Sequence, residues 1–470
     1  MLAHLLRLSR ERLRVGAPFA VASVVAALLA FWTIAFFARH QQFVVQLCVS
    51  GVIIALSIVR SDERQASPGG GDRMPAWAAV SARFLMIPLV ALLGALIGRV
   101  VHVHAALGFA LIAAPLVAAI WVRRFGPLWA RLGSLWSFPF VAALVTPTAA
   151  LAAGAGVWWG ALAALIAVAW GSVLGWLVGA GTAREDPSRA GLARAAPSAQ
   201  RPAPSPSSAS RMALHLAISL AAAILLGWWL LSEHLAWFVL TAFVVNSGNR
   251  GRGDVVYKGI QRLVGAGAGT VVATLLGTAF APGDSNALVA LFVILGLGAV
   301  LRTMSYAWWA AAMTGGLALL YDYLGQGGTE VLGQRLLAIL LGGLIAIVAS
   351  CFVAPVRSID VVRRRTAELL ALGREVLTGD RSAPAYAGLA AETRAATARI
   401  EQLAPPFHAL RIVTFGRVPA GRRTADLIDR GVALGTGLQR FVAAPSRELG
   451  GRLGGELRAL RESLVALRRD

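Results

Sequence analysis

Runs of about twenty consecutive apolar residues constrain this chain more than any other feature, because a helix of that length matches the roughly 30 Å hydrocarbon layer of a bilayer. A first set covers 16–38, 43–59, 77–98, 101–122, 132–153 and 157–181, and a second covers 212–231, 236–246, 257–280, 286–301, 303–320 and 332–355. The run 236–246 is too short to cross alone and needs Leu235 or a tilt. Only 14% of the residues are charged and 57% are hydrophobic, whereas soluble domains devote about a quarter to charge. The expectation is an all-α polytopic membrane protein. The basic start before residue 16 resembles a secretory signal, but the run that follows exceeds the roughly 7–15 apolar residues of one.

The formal charge of +21 would suggest a nucleic-acid partner in a soluble protein. Here the positive-inside rule accounts for it. Of the 44 basic residues, 39 fall in the amino-terminal arm, in the alternate loops 60–76, 123–131, 182–211, 248–258 and 302, and in the last part of the chain. The opposite loops carry only Arg39 and Arg99, which predicts both termini on the cytoplasmic side and no nucleic-acid partner. Cys48 and Cys351 lie in apolar runs and make neither a disulfide framework nor a metal cluster.

Composition divides the chain into a first six-helix membrane unit (1–181), a disordered linker rich in Pro, Ala, Ser and Arg (182–211), a second six-helix unit (212–356) and a helical tail (357–470). The tail has apolar residues at helical spacing over 359–377, 385–403, 424–441 and 448–467. Such stripes need cover, either within a cytoplasmic bundle or against a second subunit in a homo-oligomer. The two membrane sets also resemble each other. Arg83 precedes Gly98 by the same 15 positions as Arg262 precedes Gly277, each pair in the third helix of its set. Six spans per set make the repeats parallel.

The stretch NSGNRGRGDVVYKGIQRLVGAGAGTVVATLLG at 246–277 resembles the signature region of the fusaric acid resistance and aromatic acid exporter family of bacterial membrane proteins. Arg262, Gly265 and Gly269 carry the likeness, which extends over the second set and more weakly over the first. The resemblance implies a bacterial inner-membrane protein that exports aromatic carboxylic acids. Plant anion channels activated by aluminium are distantly similar in their six-helix unit. Full-length members of the family often carry a large soluble domain between the halves, where this chain has only the linker.

An exporter of organic anions must meet a charge inside a low-dielectric interior, so intramembrane ionisable residues are the first candidates. Arg83, Arg262 and Arg335 qualify, because guanidinium grips a carboxylate with two parallel bonds and stacks on aromatic rings. The alternative for each is snorkelling to headgroups from near a helix end. The polar loop 247–254, with Asn246 ahead and Tyr257 and Lys258 behind, reads as an entrance in which Arg250 and Arg252 attract anions; the substrate-binding set therefore also takes in Asp254 and Tyr257. The plainer reading is a tight loop with ordinary cytoplasmic charge. Glycines four apart, at 94 and 98, at 171, 175 and 179, and at 265 and 269, read as packing faces rather than ligand sites.

No Asp or Glu lies in the middle of any apolar run, and edge candidates for proton coupling are Glu233, His234, Asp254, Asp322, Glu330 and His215. His102 and His104 point apart and form no metal pair. Pro88, Pro115, Pro139 and Pro147 predict kinks or breaks in the first set. With no P-loop, no strand ahead of GAGAGT and no nucleophile–base pair, the sequence points away from an enzyme, an ATP-driven pump or a cofactor site. Two readings stay open. One is a secondary transporter whose partners are small organic anions and membrane lipids; the other is a nonenzymatic envelope protein or anion channel.

Overall fold

A computed structural model describes residues 2–41, 43–66, 76–145, 156–185, 206–248, 251–277, 279–281, 283–323, 329–353, 357–380 and 386–467, and among them regular structure is helical. The first set comprises α1 (Leu2–Phe37), α2 (Val44–Ala66), α3 (Ala76–Val103), α4 (Ala105–Trp121), α5 (Pro127–Val145) and α6 (Gly156–Glu185). The second comprises α7 (Pro206–Leu230), α8 (Leu235–Asn246), α9 (Arg252–Gly277), α10 (Ser285–Leu301), α11 (Tyr306–Tyr323) and α12 (Thr329–Phe352). Nine of these helices are long and apolar enough to cross a membrane, counted over the described residues. Their outward faces carry large apolar side chains, such as Trp77 (74% exposed), Leu85 (70%) and Trp229 (79%), as a lipid-facing surface requires. The protein is an all-α membrane protein.

Two expectations change. The helices α3, α4 and α5 run unbroken through Pro88, Pro115 and Pro139, while Pro147 lies outside the described residues. More important is α2, which continues to Ala66 past the end of its apolar run and so carries Asp62 and Glu63 on its last turns. The short α8 behaves as its length demands. Its 12 residues span only about 18 Å, and it is covered on every side, from Leu235 to Asn246. A helix that stops short in a membrane must be walled by protein in this way.

Neighbour relations recur with an offset of six helices. In the first set α1 packs on α2 and α6, α2 on α6, α3 on α5 and α6, and α4 on α5; the pairs α7–α8, α7–α12, α8–α12, α9–α11, α9–α12 and α10–α11 repeat them. The sets meet along two seams, α1 against α10 and α4 against α7, which the same offset relates. At the second seam α5 also packs on α8, with Phe140, Phe238, Leu116, Leu216 and Leu220 fully buried. At the first seam, the counterparts α11 and α2 are held apart by an apolar cavity of about 40 Å³.

The tail has its own core. Helices α13 (Ser358–Thr378), α14 (Tyr386–Glu401), α15 (Ala404–Val413), α16 (Pro419–Ala443) and α17 (Arg447–Ala466) enclose Val362, Leu369, Val376, Ile400, Ile428 and Leu438. The periodicity gives four of them. The fifth, α15, begins with prolines in its first turn, where the missing N–H costs nothing. The tail packs on the membrane part through α13 and α15 against the start of α9.

Candidate functional site

The helix α9 buries one stripe, Val255, Gly259, Arg262, Ala266, Gly269 and Ala273, at the alternating three- and four-residue spacing of a single helical face. Glycine sets how close its neighbours come. A Cβ on Gly265 would meet Ala310 Cβ at 2.7 Å, one on Gly269 would meet the backbone of Ala311, and one on Gly259 would meet Ile347 at 3.0 Å and Val245 at 3.7 Å. These glycines hold α9 against α11 on one side and against α8 and α12 on the other, and Arg262 stands on the face between them.

Arg262 is 6% exposed. Its Nε is buried without an acceptor, and among the described residues its guanidinium has no ion pair. A desolvated, uncompensated cation is costly, so this position either binds an anion or carries a heavy penalty. Arg83, its counterpart in α3, is just as buried but is differently placed chemically. Both of its terminal nitrogens bond to the Asp62 carboxylate, Nη1 to Oδ2 at 3.1 Å and Nη2 to Oδ1. Gly175 of α6 makes room for that carboxylate, since a Cβ there would overlap Asp62 Oδ2.

The missing carboxylate in the second unit has a structural origin. In the first unit Gly171 of α6 lies against Ile58 of α2, and Gly175, one turn on, lies against Asp62. In the second unit Gly342 of α12 lies against Phe238 and Thr241 of α8, and Ala346, one turn on, packs with Val245. Val245 therefore stands where the first unit has Asp62.

The other sequence candidates are dispersed. Arg335 is 3% exposed and stacks its guanidinium 4.1 Å from the centre of the Trp237 ring, with Nε and Nη2 lacking acceptors. Asn246 is buried, its Nδ2 donating to Ser219 Oγ at 3.1 Å and to Ala242 O at 3.0 Å, one turn along α7 from buried His215. Arg252 is exposed and Asp254 and Tyr257 half-buried at the start of α9. Arg250 lies outside the described residues. The loop is not an open entrance on its tail side: Gly253 N donates to Ser358 Oγ at 2.9 Å, and a Cβ on Gly251 would meet Ser358 Cα at 3.0 Å. Lys258 folds back on Ser247, Nζ to O at 2.7 Å.

Sequence reasoning passed over a second polar cluster. Arg302, which follows α10, pairs through Nη2 with Glu63 Oε2 at 2.6 Å, joining the two units. Its guanidinium and that of Arg60 lie 5.8 Å and 5.1 Å from the centre of the Trp309 ring. Reading α2 as ending with its apolar run put Arg60, Asp62 and Glu63 in a loop; only the pairing of Glu63 with a residue 239 positions later shows them as part of the bundle.

Residues 220–349 match the family model described as fusaric acid resistance protein-like. The matched segment runs from α7 to α12 and contains Arg262, Trp237, Trp309 and Arg335. No curated protein matches the chain, and no solved structure does.

Proposed function

We propose, with this fusaric acid resistance protein-like segment as the premise, that the protein exports small organic anions, aromatic carboxylates foremost, and that Arg262 receives them. The observation that supports this reading is the contrast between two buried guanidinium groups: Arg83 is neutralised by Asp62, and Arg262 has an apolar residue in the corresponding place. A carboxylate from outside the chain would complete at Arg262 what Asp62 completes at Arg83. Arg83 is then a structural cation, and recognition belongs to the second unit.

In this reading the basic end of the bundle, with the loops and tail that hold most of the Arg, faces the cytoplasm of a bacterial cell. The turn between α8 and α9 and the start of α9 are on that side, so an outbound anion meets Arg252 before Arg262. Guanidinium suits this cargo because it matches a carboxylate in two bonds and lies flat on a ring. Losing one such desolvated contact costs on the order of 2–5 kcal/mol.

The test is efflux of a labelled aromatic acid such as benzoate from cells that lack the protein and are complemented at matched membrane levels. Export should fall from wild type to Arg262→Lys to Arg262→Ala, because Lys keeps the charge and loses the fork. Undiminished export by Arg262→Ala would end the assignment.

A further inference from the structure

We propose that the cavity between α1–α2 and α10–α11 is a second station for an aromatic carboxylate, closed at the basic end by the Arg302–Glu63 ion pair. The inference rests on the reading of the protein as an exporter of such anions, and it concerns a place that α11 separates from Arg262. Three observations carry it.

The first is where the cavity lies. The seam at α1 and α10, where the two units meet, leaves a space lined by Phe31, Val52, Leu56, Phe292, Met313 and Leu317 among other apolar residues. A wholly apolar space of this kind holds no water, because water needs polar partners, and it suits an aromatic ring.

The second is what covers it. Arg60 lies one turn beyond Leu56, Trp309 one turn before Met313 and Arg302 two turns beyond Leu295, each on the face that lines the cavity below. A cap of two guanidinium groups on an indole ring thus closes an apolar chamber. The combination matches a molecule with a carboxylate at one end and a ring at the other.

The third is size. The space of about 40 Å³ is well short of the roughly 150 Å³ that accepts benzene in an engineered cavity. A ring therefore enters only when the seam widens, and the polar bond that crosses the seam at its basic end is Arg302 to Glu63 at 2.6 Å. Helix α1 adds to the closure: a Cβ on Gly16 would meet Thr303 Cγ2 at 2.7 Å and Glu63 Oε1 at 3.5 Å. A substrate carboxylate that takes the place of Glu63 on Arg302 keeps that guanidinium neutralised, and the displaced Glu63 carboxylate, freed from the seam, turns to Arg60 or to water at the basic end. Exchange of one carboxylate for another is the opening step, and no covalent bond is made or broken.

The experiment uses the full chain in lipid nanodiscs, with Cys48 and Cys351 replaced by Ala and a single thiol introduced as Leu317→Cys. The rate of labelling by a small maleimide reports access to the cavity. Benzoate at ten times its dissociation constant should slow labelling about tenfold, and benzamide, its neutral isostere, should not. Glu63→Gln should speed labelling in the absence of ligand. Failure of benzoate to protect, or equal protection by benzamide, overturns the proposal. Should Glu63→Gln not insert, protection in the background that keeps Glu63 decides alone. Arg262→Ala separates the two readings: export lost with protection kept supports both, protection kept with export unchanged removes the role of Arg262 only, and no protection in a chain whose export depends on Arg262 removes the second station only.

Discussion

Arg83 of α3 holds Asp62 of α2 through both of its terminal nitrogens, one bond measuring 3.1 Å. Both side chains are shielded, 7% and 18% exposed, so removing one partner strands the other. Asp62→Asn should destabilise the protein by about 3–5 kcal/mol, the range for breaking a buried pair. The double variant Asp62→Asn/Arg83→Met should recover much of that loss. Thermal unfolding in detergent would show it, and equal melting temperatures for wild type and Asp62→Asn would refute a structural role for the pair.

The same geometry can be installed in the second unit. Val245→Asp places a carboxylate where the first unit has Asp62, and Arg262 should then be neutralised from within. The variant should insert and melt near wild type, yet export no aromatic acid. Val245→Asn, which brings similar bulk without charge, should keep more export than the Asp variant. If the two export alike, the equivalence of the positions is wrong.

Close approach of α9 to α11 gives a third expectation. A methyl group on Gly269 would run into the backbone of Ala311, whereas nothing lies within 4 Å of a Cβ on Gly94. Gly269→Ala should lower the melting temperature, and Gly94→Ala should leave it unchanged or raise it, since Ala is the better helix former. Of the small-residue pairs visible in the sequence, those at 265 and 269 and at 171 and 175 pack on both members. A Cβ on Gly94 would find open space.

In the tail, Asp429 accepts from His408 Nε2 at 2.8 Å and from Arg411 Nη1 at 3.2 Å. Burial alone would raise its carboxyl, but the hydrogen bond and charge of His408, with those of Arg411, outweigh it and hold the group below the ordinary range. A depressed carboxylate contributes stability that is present above its unfolded value of about 3.9 and is lost as pH falls through the lower folded value. Amide exchange in α15 and α16 should therefore speed up on acidification below about pH 4, after correction for intrinsic rates. Asp429→Asn should exchange faster already at neutral pH and show a smaller acid response.

Hydropathy alone located the apolar helices because lipid leaves a helix few alternatives, and the tail periodicity was legible for the same reason: each stripe had to be covered. The bonds that give the bundle its polar chemistry were not legible. Arg83 and Arg262 look alike in the sequence, each at the same distance from a glycine, and they differ only in what α2 and α8 bring to them. Asp62 and Glu63 were hidden because hydropathy falls at Arg60 while the helix goes on, sustained by pairs with Arg83 and Arg302. The short helix α15 fell between the periodic stripes, too brief to show a pattern of its own. The cavity had no signature at all, because its apolar lining is indistinguishable in sequence from residues that fill a seam.

The short α8 has a consequence for how the chain is made. The start of α9 that follows it is covered at Gly251 and Gly253 by Ser358, and at Gly253 also by Pro406 of α15, more than a hundred residues downstream. Chains emerge from the ribosome amino terminus first, so the second unit enters the bilayer with Gly251 and Gly253 still bare. Synthesis must pass residue 406 before that recess is sealed. The recess at the start of α9 is thus closed only after the second unit has entered the bilayer, by a segment that the membrane helices must wait for.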